Sequence, residues 1–495
     1  MWRVEQSELW QQFLYQEAAP LIFNSGVFLF LFTAFVVIFH FVRRHNRAKV
    51  IWLTLFSLFF YYKTCGLFVG LLLLVATSDY LIGRALHRSV RKGARKGWIT
   101  ASILINLGLL AYFKYTNFFA GMVAQFTEEP FTPYAIVLPV GISFFTFQSL
   151  SYTLDIYRKR IEPVDRWVDY LFYVSFFPQL VAGPIVRARD FLPQISRPDF
   201  VSRAMIGEGL FLILSGLFKK AVISDYISIN FVDRIFDNPL LYSGLENLMG
   251  VYGYAMQIYC DFSGYSDMAI GIALLLGFRF NINFDSPYKS ASITEFWRRW
   301  HISLSSWLRD YLYISLGGNR KGKIRTYVNL MLTMLLGGLW HGAALQFVFW
   351  GALHGVSLAI HKGVMAIFPS FRPTGAEMSR FRRVLGILLT FHLVCFGWLF
   401  FRAKSFGSAL EVLSQIIHAS DFSLLPQLFS GYKAVFSLIL LGYFLHFLPG
   451  RLDVRVQSFF AARPLWLQGL VVVAMIVLVM LEKSSQIQPF IYFQF

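Results

Sequence analysis

Gly337-Gly338-Leu339-Trp340-His341-Gly342-Ala343 sets a histidine inside an apolar run that extends from about Tyr327 to Ile360. Lys323 and Arg325 precede the run, and His361 and Lys362 follow it. Basic residues collect on the cytoplasmic side of membrane proteins, so both ends of the run are expected to face the cytoplasm. That arrangement makes the run a hairpin or a broken helix pair, with His341 at or near its deep point. An ionisable side chain at membrane depth costs free energy unless it faces a cavity or a partner, which marks His341 as functional by default. The surrounding glycines let two backbones approach closely, or interrupt a helix where it lines a cavity. The competing role for His341 is helix packing, hydrogen-bonded to a neighbour.

The rest of the chain has the composition such a run requires. Of 495 residues, 56% are hydrophobic and 15% charged, where a soluble domain carries about a quarter charged residues. The 54 phenylalanines suit lipid-facing and helix-packing surfaces. The net charge of +18 would suit nucleic acid, but the lysines and arginines sit in short loops between apolar segments. Topology and anionic headgroups account for them, and nucleic acid is excluded as a partner. Cys65, Cys260 and Cys395 are scattered, with neither disulfide nor metal-ligand spacing. Residues 1–20 carry Arg3, Glu5, Gln6 and Glu8 and no apolar core, so they are expected to form an interfacial segment rather than a cleaved signal. Residues 21–495 are expected to form a single membrane domain.

Candidate spans need about 20 apolar residues. They are expected near Ile22–Val42, Val50–Tyr62 with Gly66–Gly83, Trp98–Phe113 and Ala135–Ile156. Basic loops at Arg43–Lys49, Arg84–Lys96 and Arg158–Arg160 fall inside by this alternation, and Lys114–Tyr134 falls outside. Trp167–Gly183 has basic residues at both ends and is broken by Pro178 and Gly183, which suggests a re-entrant or interfacial segment. Phe211–Ile223, Asn247–Phe278, Leu385–Phe401, Val435–Leu448 and Leu467–Met480 supply further helices. The fold class is an all-α integral membrane protein with several spans.

Three constellations carry candidate chemistry. Glu295 to Gly322 interleaves Arg298, Arg299, Arg309, Arg320 and Lys321 with Trp297, Trp300, Trp307, Tyr311 and Tyr313. At helical spacing this reads as an interfacial amphipathic helix. Arg298, Arg299, Trp300 and Asp310 are candidates there for holding a phosphate-bearing donor, and headgroup anchoring is the alternative. His301 lies in the same segment, forty residues before His341. If the two histidines meet, one is placed to act as general base near neutral pH and the other to orient a substrate. Ser303, Ser305 and Ser306 lack a nucleophile elbow. The second constellation is Asp261 and Asp267 within Tyr259-Cys260-Asp261-Phe262-Ser263-Gly264-Tyr265-Ser266-Asp267. Carboxylates at depth need partners, and the following arginines are the expected ones. A metal site lacks its His or Cys ligand cluster. The third comprises Trp340 and His354, polar lining candidates of the long apolar run. His392 and His446 stand alone on apolar faces as structural histidines.

At these residues the chain resembles the membrane-bound O-acyltransferase superfamily, most nearly the membrane subunits that serve alginate O-acetylation and related exopolysaccharides. The blocks that carry the resemblance are Leu138 to Tyr152 (LPVGISFFTFQSLSY), Phe176 to Arg187 (FFPQLVAGPIVR) and Tyr259 to Gly271 (YCDFSGYSDMAIG). To these add EFWRRWHISLSSWLRDYLYISLGGNR, LGGLWHGA and the closing Gln488 to Phe495. The chain departs at its start, where about twenty residues precede the usual beginning, and at Ser315. The resemblance implies a multi-helix fold with re-entrant or interfacial helices around a central tunnel. It implies that His341 is the catalytic histidine and His301 the second family histidine. No cofactor is implied. The substrate is an acyl donor such as acetyl-CoA or an acyl-carrier thioester. The implied partners are membrane lipids, a periplasmic SGNH-like acetyltransferase protein and the polysaccharide machinery.

The favoured function is transfer of an acyl group from a cytoplasmic donor across a bacterial inner membrane, for O-acetylation of an exported polymer such as alginate or cellulose. D-alanyl transfer to teichoic acid is an alternative. So is a transporter or channel that uses the same cavity without covalent chemistry, although no inverted repeat supports it. The loop charges make one direct prediction. Asn319→Cys, in a background lacking the three native cysteines, is expected to resist an impermeant thiol reagent added outside intact spheroplasts and to label after permeabilisation. Labelling from outside would reverse the orientation.

Overall fold

The computed structural model describes residues 13–16, 20–23, 25–181, 183–197, 201–368 and 379–482. The expected interfacial segment at 1–20 lies largely outside the described residues, and the block from Gln488 to Phe495 lies wholly outside them. Every regular element among the described residues is helical. In lipid a backbone N–H has no water to bond, and a helix satisfies these groups within one segment. Asn46–Arg88, Lys92–Thr127 and Arg380–Arg402 are long and apolar enough to cross a membrane. Two further spans arise if the bent pairs Phe422–Gly431 with Lys433–Phe447 (95°) and Gly450–Ala461 with Leu465–Met480 (116°) each count as one.

The chain forms two compact units, Met1–Gly209 with Met268–Asn281, and Leu210–Asp267 with Ile282–Phe495. In the first, helix Gly26–Val42 begins at Ser25, whose Oγ accepts from Phe28 N at 3.1 Å. Such a cap contributes about 1 kcal/mol. Helix Lys92–Leu110 runs on through a π-wound turn, Ala111–Tyr115, into Thr116–Thr127. The loop expected from Lys114 therefore starts only after Thr127. The stretch TNFFAGMVAQFT contains no proline, and the helix stops where Glu128 turns left-handed, at φ 56°. The span expected from Ala135 begins instead at Ile142. Pro139 and Gly141 hold the preceding residues out of the helix, and Gly141 has φ 78° with Leu180 O against its α-carbon. Helix Ile142–Tyr157 packs on Val69–Arg88 and Lys92–Leu110. Between them the buried Asp79 accepts from Ser102 Oγ and Asn106 Nδ2, both at 2.7 Å. Helix Trp167–Ser175 and the single turn Phe177–Leu180 break at Phe176, as Pro178 requires.

In the second unit the helix expected at Phe211–Ile223 is part of a longer run, Arg203–Leu217 continuing to Asp237 with π-wound stretches at Phe218–Ser224 and Ser228–Val232. Helix Gly244–Leu275 supplies its ion-pair partners. Lys220 Nζ meets Asp261 at 2.5 Å and Asp225 at 2.7 Å, and Lys219 Nζ meets Asp267 at 2.6 Å. Asp261 and Asp267 are thus paired with lysines, and the arginines of the later segment go elsewhere. The sequence distance from these lysines hid the pairing, because it forms only once two helices pack.

Helices Lys323–His341 and Leu345–Ile367 form the hairpin, joined by residues 342–344. Their backbones touch through glycine. Gly338 abuts Phe347 O and Gly351, Gly351 abuts Met334 O, and Gly355 abuts Met331. Small residues at such crossings allow close van der Waals packing where lipid offers no hydrophobic drive. Gly338→Val is expected to destabilise the protein by about 1–3 kcal/mol or more, since any Cβ there meets a carbonyl. Gly363→Ala, whose added methyl has open space around it, is expected to be neutral or slightly stabilising. Thermal unfolding of the detergent-solubilised variants checks both, and equal melting of the two would refute the packing account.

Candidate functional site

The segment from Ile293 to Tyr313 is three short pieces rather than one amphipathic helix: Ile293–Arg299, Ile302–Trp307 and the π-wound Leu308–Tyr313. Ser292 Oγ caps the first by accepting from Glu295 N at 3.2 Å. The break falls at Trp300, which is extended, and at His301, which is left-handed with φ 42°. A bulky residue in that conformation is strained, and such strain persists only where neighbours over-determine it. The neighbours here are residues 283–285. Ile302 N donates to Asn283 O at 2.9 Å, and Asp285 N donates to Arg299 O at 3.0 Å. Trp300 seals the corner, its ring 4.9 Å from Trp398 and 5.0 Å from Phe284. It is core rather than a donor-facing surface.

His301 is fully buried. Asn283 Oδ1 accepts from Ser303 N at 3.1 Å and from Ser303 Oγ at 2.9 Å. The same oxygen lies 3.3 Å from His301 Nδ1, so Nδ1 carries the proton and Nε2 holds the lone pair. Nε2 has no hydrogen-bond partner among the described residues. Burial pushes the imidazole down to about 3, which keeps it neutral at physiological pH. Its ring packs 4.6 Å from Phe262 and 6.1 Å from Trp340.

His341 is the last residue of helix Lys323–His341 and is buried. Trp340, Trp350 and Phe401 stand edge-on to its ring at 5.0, 5.1 and 5.3 Å. Both histidines therefore pack on Trp340. His354, fully buried one turn beyond Trp350, lies 4.6 Å from that ring and 5.1 Å from Trp297.

The charged candidates divide. Arg299 is tied to Glu295 at 3.0 Å and Asp285 at 2.9 Å. Arg309 pairs with its neighbour Asp310 at 2.7 Å. Arg298 is exposed and has no ion pair among the described residues. Asp261 and Asp267 point at the lysines, while Phe262 and Ser266 between them face the His301 corner: Asn283 Nδ2 donates to Ser266 Oγ at 3.2 Å. The isolated histidines are structural, as read from the sequence. His446 Nε2 accepts from Tyr288 N at 3.0 Å, and His392 meets Leu388 O at 2.8 Å and Tyr252 Oη at 3.0 Å. The sequence reading missed Asn283, Phe401 and Trp350. Asn283 sits in a non-helical linker with no periodicity to mark it.

These features define a helical membrane protein whose buried histidines share one aromatic wall. The family model for membrane-bound O-acyltransferases matches residues 96–408. The chain belongs to the membrane-bound O-acyltransferase family, and its reaction class is acyl transfer. It is 40% identical over 411 residues to the probable alginate O-acetylase AlgI of Azotobacter vinelandii, covering 82% of this chain and 79% of that protein. It is 36% identical over 434 residues to a peptidoglycan O-acetyltransferase of Helicobacter pylori, covering 82% and 81%. A teichoic acid D-alanyltransferase of Bacillus subtilis is 30% identical over 291 residues, covering 55% and 71%.

Asn283 gives the site a testable part. Asn283→Ala leaves His301 Nδ1–H and Ser303 N–H without their acceptor. It is expected to lower acyl transfer about 10-fold, the worth of roughly one hydrogen bond. Asn283→Asp, which keeps an oxygen in place, is expected to recover part of the loss. Equal activity of Asn283→Ala and the parent at matched protein level would refute the bracket.

Proposed function

We propose that this protein is an O-acetyltransferase of a bacterial cytoplasmic membrane, crossing it several times. In this reading it takes an acetyl group from a cytoplasmic thioester donor, acetyl-CoA or an acyl carrier, and delivers it for O-acetylation of an exported polysaccharide such as alginate or cellulose. A periplasmic SGNH-like protein and the polymer machinery are its partners, with lipid around it. The relatives that act as an alginate O-acetylase and a peptidoglycan O-acetyltransferase support the acetyl group and a carbohydrate hydroxyl as acceptor. The D-alanyltransferase relative matches a shorter part of the chain, which weighs against that alternative.

The observation that carries the reading is the pair of buried histidines packed on Trp340. His341 acts as general base on the acceptor hydroxyl. His301, neutral and with Nε2 open, accepts a hydrogen bond and orients the group to be acylated. Arg298 is free to meet a donor phosphate, where a charge-assisted bond is worth about 1.5–3 kcal/mol. Arg299 and Asp310 hold the segment that carries it.

His341→Ala is expected to reduce polymer acetylation by about 10²–10⁴-fold while the protein still accumulates. His301→Ala is expected to lower it strongly but to leave more residual activity. Acetyl content per sugar at matched protein levels measures both. Near-normal acetylation with His341→Ala would overturn the assignment, and a larger loss with His301→Ala would reverse the two roles.

A further inference from the structure

Trp297 Nε1, Trp350 Nε1 and both ring nitrogens of His354 are buried and have no hydrogen-bond partner among the described residues. Buried polar groups are paired in roughly nine cases of ten or more, and each left bare costs about 1–3 kcal/mol. These four atoms are not scattered. The three rings form one cluster, with centroids 4.6 Å apart for Trp350 and His354, 5.1 Å for Trp297 and His354, and 5.6 Å for Trp297 and Trp350. Trp350 also stands 5.1 Å from the His341 ring.

Space for an occupant lies beside them. Gly397, on helix Arg380–Arg402, has no side chain to fill the point 3.2 Å from His354 Nε2, 3.4 Å from Trp350 Cδ1 and 3.5 Å from Leu353 Cδ2. An atom there is at hydrogen-bonding range of the imidazole. An indole N–H only donates, and a neutral imidazole adds one more N–H. The occupant the cluster suits is therefore an acceptor, a small oxygen that arrives next to His341.

We propose that the Trp350 indole N–H, with Trp297 Nε1 and His354 beside it, forms a donor-lined recess that holds the carbonyl oxygen of the acyl group during transfer. This rests on the reading of His341 as the base. The acceptor hydroxyl oxygen bonds to the acyl carbon as His341 takes its proton, and the carbonyl electron pair moves onto oxygen. The recess donates to that oxyanion. When the pair returns, the bond to the leaving group breaks and the leaving group takes the proton from His341. Preorganised donors aimed at developing charge are commonly worth about 10²–10³ in rate each.

The test replaces Trp350 with 3-benzothienylalanine, which keeps the bicyclic shape and puts sulfur where the N–H was. Incorporation of radiolabelled acetate into exported polymer, read as an initial rate at matched protein levels, is expected to fall about 10²–10³-fold. Gly397→Ala, which crowds the recess from the other side, is expected to reduce the rate as well, and serves if the benzothienyl protein does not accumulate. A rate within about threefold of the parent for either accumulating variant would overturn the proposal. It would mean that the N–H groups rest on neighbouring ring faces or hold water alone. His341→Ala measured alongside separates the two readings. If it is inactive while the recess variants are normal, only the recess fails. If it too is active, the assignment of His341 fails.

Discussion

The contact on which the site depends is backbone against backbone, where Gly338 meets Phe347 O and Gly351 meets Met334 O. Two helices that approach this closely leave a turn of residues 342–344 between them, and His341 is held at its edge. The same closeness brings Trp350 from the second helix onto the His341 ring at 5.1 Å. A pair of larger residues at the crossing would separate the helices by the width of a side chain. The aromatic wall would then lose the base it surrounds.

His301 reaches that wall by a different device. No helix carries it: it sits in a kink whose strain is offset by a single carboxamide. Asn283 Oδ1 fixes the backbone through Ser303 N and the tautomer through His301 Nδ1. One side chain thus decides both where the imidazole stands and which nitrogen is basic. Trp340 then connects this rigid corner to the hairpin apex.

Much of this was legible in the sequence, and for a physical reason. Apolar runs with basic flanks report lipid contact directly, so most helices were found within a few residues, and LWHG in such a run marked His341. Where the reading went astray, packing had overridden local pattern. Tryptophans at 297, 300 and 307 suggested one interfacial face, yet Trp300 and Trp307 are buried and the chain breaks between them. The partners of Asp261 and Asp267 came from a helix forty residues earlier in the chain. Asn283 left no trace because a linker residue that braces a kink has neither periodicity nor charge to announce it.

The π-wound stretches in the helix from Arg203 to Asp237 carry a lesson about tolerance to change. Lys220 pairs with Asp225 at 2.7 Å and Ser228 with Asp233 at 2.6 Å, both five residues apart. On a regular α-helix such residues point about 140° apart, whereas π-winding repeats at i→i+5 and stacks them. Each stretch therefore behaves as one residue inserted into an ordinary helix. Deleting a residue there would restore smooth winding, yet it would swing everything downstream by about 100°. Asp233 would turn away from Arg402, which it now meets at 2.6 Å. Evolution is thus free to exchange side chains along this rod far more readily than to shorten it: its residue count is a phase setting, and the lineage inherits it as a fixed length.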